Sequence, residues 1–235
     1  MSTFMKKFIF LLFVLVSMSA TAQNDVTKFL GIPIDGYKAE MKQKLIEKGF
    51  IYDSHNDCFK GEFNGYDVIV SIVTNNNKVW RIVVQDAHAS NETDIKIRFN
   101  NLCTQFANNK KYMPVRMEGY TISEEEDISY EMSVNNKRFE ASYFQSLDSE
   151  RIDTLAVQQK LKDVLLQKYT QEELDNPAED KIEEMQEDIQ KESINIVLEM
   201  LEKKSVWFLI NKNYGDYYIV MYYDNEYNHS NGEDL

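Results

Sequence analysis

The chain has 235 residues, 28% of them charged, a formal net charge of −13, two cysteines and three histidines. A chain this acidic is repelled by nucleic acid phosphates and by anionic membrane surfaces, which excludes both as primary partners. The acidity itself reads as solubility, because charge runs ordinarily decorate solvated faces.

Residues 1–22 read as a secretory signal. Lys6-Lys7 precedes the apolar run Phe8–Val16, and Ala20-Thr21-Ala22 has the small-residue form that a signal peptidase cuts. The run is too short for a membrane anchor. Cleavage near Ala22 takes two lysines from a chain of net charge −13, leaving −15 on the mature protein, which is expected to be periplasmic or secreted. Residues 23–235 then form a single domain long enough for a substantial core.

Phe29-Leu30-Gly31-Ile32-Pro33-Ile34 is an extended lead-in, since Pro33 blocks helix there. A short helix follows, carrying Met41 and Leu45 four apart and stopped by Lys48-Gly49. Residues 59–63, 66–74 and 78–85 are β-branched and aromatic, separated by Asn64-Gly65 and by Asn75-Asn76-Asn77, which predicts an antiparallel meander. Asn91 caps a helix whose stripe is Ile95, Phe99, Leu102, Cys103 and Phe106.

Further on, Ile128, Tyr130, Met132 and Val134 alternate with polar residues, Asn135-Asn136 turns the chain, and Phe139, Ala141 and Tyr143 alternate back; this predicts a second hairpin. Two helices are expected next, one over about 153–169 and one from Asn176-Pro177. The stripe of the second is Ile182, Met185, Ile189, Ile196, Val197, Met200 and Leu201. Strands over 206–210 and 217–223 close the chain. The fold class is α+β: an antiparallel meander sheet with helices packed mainly on one face. The helix-then-meander pattern suggests two diverged repeats, in halves 23–113 and 114–235.

No catalytic, cofactor or metal residue is assigned, and an enzyme is not expected. The sequence lacks Gly-x-Ser-x-Gly, a phosphate-binding Gly-rich loop, His-Glu-x-x-His and Cys-x-x-Cys. Asp53-Ser54-His55-Asn56-Asp57 alternates metal-ligand types but is also a turn composition. The tail from Asp224 starts like a calcium loop and fails at its sixth position, where His229 replaces the required Gly. Cys58 and Cys103, the only cysteines of an exported chain, are either a disulfide or two buried thiols.

Tyrosines crowd the last strand. If Tyr217, Ile219, Met221 and Tyr223 face the core, Tyr218 and Tyr222 face outward and form a candidate binding face, unless helices cover that strand on both sides. The expected role is a non-enzymatic protein-binding or scaffolding module. The alternative is a carbohydrate-binding module using Tyr218 and Tyr222.

Three segments, Phe29–Gly36, Asp94–Cys103 and Tyr217–Asn225 with its Asn231-Gly232-Glu233-Asp234-Leu235 ending, resemble a group of uncharacterised exported proteins of Bacteroides-type bacteria. The helix–meander pattern is also similar to the β-lactamase-inhibitor-protein-like architecture, and that resemblance implies a binding module.

Overall fold

The computed structural model describes residues 24–230. Residues 1–23, which include the expected signal segment, and the ending 231–235 lie outside the described residues. Two compact units emerge: a sheet unit, Val26–Ser146 with Leu201–Ser230 of the described residues, and a helical unit containing Leu147–Met200.

The sheet unit begins with a two-stranded ribbon, β1 (Lys28–Phe29) and β2 (Ile32–Pro33). Then come α1 (Lys38–Glu47), β3 (Ile51–Asp53), β4 (Cys58–Phe63), β5 (Tyr66–Asn75) and β6 (Lys78–Asp86). Next are α2 (Glu92–Asn108), β7 (Tyr112–Pro114), α3 (Ile128–Val134) and β8 (Glu140–Gln145). The unit closes with β9 (Ser205–Asn213) and β10 (Asp216–Asp224). The eight strands form one antiparallel sheet in the order β3-β4-β5-β6-β10-β9-β8-β7. That order is a palindrome of a single unit: a helix and four strands (α1, β3–β6), then a helix and four strands (α2, β7–β10), joined where the two fourth strands pair.

Alternation sets the core. Val68, Val70 and Ile72 of β5, Ile82 and Val84 of β6, Ile219, Met221 and Tyr223 of β10, and Val206, Phe208 and Ile210 of β9 share one face. The apolar stripes of α1 (Met41, Leu45) and α2 (Ile95, Phe99, Leu102, Phe106) pack on it. Burying each such side chain contributes about 1.5–3 kcal/mol. Arg98, on the edge of the α2 stripe, is also buried. Its guanidinium grips Asp86 at the end of β6 with two hydrogen bonds, and Tyr66 covers it at 3.4 Å from the ring centroid. The same carboxylate accepts the Ile219 N–H at 3.0 Å, so one ion pair ties α2, β6 and β10 together.

Residues 128–134 are helix α3 rather than the expected strand. Asp127 caps it by accepting the Tyr130 N–H at 2.8 Å, and only Ile128 is fully buried. A helical turn brings Ile128 and Met132 onto one side, so a period of two in seven residues concealed a period of four. The true neighbours of β8 are β7 and β9.

The helical unit lies in the chain between β8 and β9. It contains α4 (Thr154–Leu165), α5 (Gln171–Asp175), a 3₁₀ turn (Glu179–Lys181) and α6 (Ile182–Glu202), whose last two residues belong to the sheet unit. Leu165, Tyr169 and Met185 make a small core, flanked by Leu161, Leu174 and Ile189. Thr170 and Glu173 form a reciprocal capping box that starts α5. The expected α6 stripe holds at Met185, Ile196 and Leu201, but Val197 is 44% exposed. Among the described residues no helix is long and apolar enough to cross a membrane.

Candidate functional site

The face of the sheet opposite α1 and α2 carries the outward residues of the four central strands. On β10 these are Tyr218, Val220 and Tyr222, as alternation requires once Tyr217 and Tyr223 are buried at 2% and 3% exposure. Both outward tyrosines are half-buried. Tyr218 stands opposite Asn211, and Tyr222 stands opposite Trp207 of β9. The Trp207 and Tyr222 rings stack at 4.0 Å with 16° between their planes.

Beside them β6 is irregular. Val79 pairs with Thr74 but Arg81 pairs with Val73, so Trp80 is an extra residue without a partner on β5. The bulge brings Trp80 and Arg81 together. The Arg81 guanidinium carbon lies 4.2 Å from the Trp80 ring centroid, 4.8 Å from that of Tyr222 and 5.5 Å from that of Trp207. Arg81 also makes a two-pronged pair with Asp224, Nε to Oδ1 at 2.6 Å and Nη2 to Oδ2 at 2.7 Å, and Trp207 Nε1 donates to Oδ2 at 2.9 Å. One buried carboxylate therefore fixes both the cation and the indole.

The segment after β10 locks the bulge. Asn225, wholly buried, donates its N–H to the Trp80 carbonyl at 2.7 Å and its side-chain amide to the Ile34 carbonyl at 2.6 Å. Asn228 donates to the Val79 carbonyl at 2.9 Å, and the His229 ring lies 4.4 Å from that of Trp80. The tail that fails as a calcium loop is thus a clasp, in which the asparagines satisfy backbone groups that the bulge leaves unpaired.

The other sequence candidates sit elsewhere. Asp53 is a turn cap: it accepts the His55 and Asn56 N–H groups, and Lys60, then Asn56, hold its carboxyl well below the usual carboxylate range. Asp57 is held low in the same way by Lys38, Lys42 and the Tyr52 hydroxyl. Among the described residues no group of three or more His, Cys, Asp or Glu is placed to hold a metal. Cys58 and Cys103 are both buried and free. Phe59 shares the core with Cys103, and Cys58 precedes it in β4, so alternation turns Cys58 to the other side. Burial pushes the Cys103 thiol up to about 11.

Chemically, this cluster offers half-buried aromatic area and no uncompensated charge at its centre, since Arg81 and Asp224 neutralise each other, while Val220, the outward residue between Tyr218 and Tyr222, is itself buried. Trp80, Arg81, Trp207 and Asp224 are invisible as a group in the sequence. They lie on three strands, and only the register and the bulge unite them. No protein-family model matches the chain, and comparison with curated proteins and with solved structures finds no match.

Proposed function

We propose that the protein is an exported, non-enzymatic protein-binding module whose binding face is the sheet surface around Trp80, Arg81, Trp207 and Tyr222. The observation that carries this reading is the cluster itself: Trp, Tyr and Arg are the residues in which binding energy concentrates at protein interfaces, and here they are pre-ordered by Asp224. The partner that fits is a protein with a flat apolar patch inside a basic rim. The centre of the face has no free charge to satisfy, while the chain as a whole carries −13. Export rests on Lys6-Lys7, the Phe8–Val16 run and Ala20-Thr21-Ala22. N-terminal sequencing of the mature protein is expected to begin at Gln23.

The binding test uses Trp207→Ala and Tyr222→Ala in the mature chain, each checked for native circular dichroism. Capture of one specific protein from an envelope extract, lost in both variants and kept in a Tyr130→Ala control, supports the reading. Turnover of a substrate in a broad hydrolase and transferase screen, or capture unaffected by both substitutions, overturns it. A glycan array tests the carbohydrate alternative at Tyr218 and Tyr222. Tyr222 already gives one ring face to Trp207, which leaves Tyr218 as the freer platform.

A further inference from the structure

Strand β10 ends where the bulge of β6 begins. Its last residue, Asp224, pairs with Arg81, so Lys78, Val79 and Trp80 have no neighbour on β10. On the other side, the bulge leaves Trp80 without a partner on β5. The backbone that carries the indole is therefore held by residues outside the strands. Val79 donates its N–H to the Gly36 carbonyl at 2.9 Å, the Trp80 carbonyl accepts the Asn225 N–H at 2.7 Å, and the Val79 carbonyl accepts Asn228 Nδ2 at 2.9 Å.

Of these three bonds only the last is made by a side chain, and it asks for one residue type. A side-chain amide has two N–H donors. Asn228 Nδ2 gives to the Val79 carbonyl and to Asp35 Oδ1, the second at 2.8 Å, while the Asn228 backbone carbonyl accepts Asn75 Nδ2 at 3.1 Å. One half-buried residue thus ties the bulge to the end of β5 and to the lead-in before α1. The next residue, His229, brings its ring to 4.4 Å from that of Trp80, and the Arg81 guanidinium carbon lies 4.2 Å from the same indole. Aspartate, the isostere, carries no donor when ionised, and at 228 it would set a carboxylate against a carbonyl and a second carboxylate.

We infer that Asn228 is a positioning residue of the binding face: it acts through the Val79 carbonyl, holding the Trp80 indole beside Arg81 in the orientation that a partner meets. The inference rests on the protein-binding reading and deepens it, because it makes the segment after the last strand part of what presents the face. A side chain ordered before the encounter loses less entropy on binding, so freeing Trp80 weakens association without removing a contact.

The mature chain holds two tryptophans, so labelling with 5-fluorotryptophan gives two fluorine resonances, assigned by Trp80→Phe and Trp207→Phe. In Asn228→Asp the Trp80 resonance is expected to move towards its position in the urea-unfolded chain while that of Trp207 stays. Affinity for the protein that wild type captures from an envelope extract is expected to fall about tenfold. Asn100→Asp is the control: it removes the same kind of donor from the Ile122 carbonyl, bonded at 2.8 Å, on the helix side of the sheet, and is expected to move neither resonance nor affinity. Exchanging the pair, Asp35→Asn with Asn228→Asp, remakes the bond between 35 and 228 but leaves the Val79 carbonyl without its donor, and is expected to keep both effects. Recovery in the exchange would place the action in the lead-in and overturn the inference. So would an unmoved Trp80 resonance in Asn228→Asp, the same changes in Asn100→Asp, or loss of native circular dichroism, which would make Asn228 a residue of overall stability. Unchanged affinity in Asn228→Asp beside a loss in Trp207→Ala strikes the inference and leaves the sheet-face reading standing. Unchanged affinity in both, or no protein captured by wild type, strikes both.

Discussion

Arg98 shows how much one side chain decides. It is buried at 5% exposure on the stripe of α2, where an apolar residue would serve the packing, and Asp86 compensates it. Removing one partner of a buried pair leaves the other uncompensated, at about 3–5 kcal/mol. Arg98→Met is therefore expected to lower the unfolding free energy by that amount, read as a lower urea midpoint at an unchanged m-value, and Arg98→Met with Asp86→Leu to recover part of the loss. Cys103 acts through pH. Its thiol is raised from 9.0 to about 11 by burial. Above pH 9 the unfolded chain loses that proton while the folded chain keeps it, so the stability linked to this group is full below about 9 and is lost as pH rises towards about 11. Urea denaturation between pH 8 and 10.5 is expected to show a shallower decline in Cys103→Val than in wild type. Titration of denatured, unreduced protein is expected to find two free thiols per chain.

At the scale of elements, the outer edge of the sheet is protected by three separate devices. Val115 N–H bonds inward to the Ser142 carbonyl, so the N–H groups of 112, 114 and 116 point away from the sheet. Tyr112 N–H is satisfied by the Asn109 carbonyl at 2.9 Å, Pro114 has none, and Arg116 N–H is satisfied by the Tyr120 hydroxyl at 2.9 Å. No donor of this edge is left for a second chain, although Met113, Val115 and Met117 offer it an exposed apolar flank. Pro114→Val with Tyr120→Phe restores two outward donors. Sedimentation velocity is expected to show concentration-dependent association in that variant and a single monomer boundary in wild type. The opposite edge, β3, has only three residues, which limits pairing by shortness.

At the scale of the whole molecule, the helical unit is an insertion between two strands that would otherwise form a plain hairpin. Phe144 pairs with Ser205, Gln145 N–H bonds to the Lys204 carbonyl at 2.9 Å, and Lys204 Nζ donates to the Ser146 carbonyl at 2.8 Å. The ends of the insertion therefore already meet within the sheet unit. Loop-closure entropy grows only with the logarithm of length, so a long insertion at such a point is tolerated and its removal is favourable. Replacing residues 147–203 by a two-residue Asn-Gly turn is expected to leave a sheet unit that melts in one cooperative transition. A broad, non-cooperative melt would show that the helical residues complete the core.

The sequence determined on its own whatever depends on neighbours a few residues apart. The Asn64-Gly65 turn, the Asn91 cap, the α2 stripe and the inward set Tyr217, Ile219, Met221 and Tyr223 were all legible, because turn chemistry, capping and face periodicity are local properties. The same reasoning misplaced 128–134, where seven residues fit both periods and the Asp127 cap decides between them. The order of the eight strands, the pairing of β6 with β10, the bulge at Trp80 and the convergence of Arg81, Trp207, Tyr222 and Asp224 belong to the tertiary structure alone. The pairing of β6 with β10 and the contacts of Arg81 with Trp207, Tyr222 and Asp224 join residues more than a hundred positions apart. Such contacts are chosen by the total core that can be buried when all strands are in register, and no local window contains that sum.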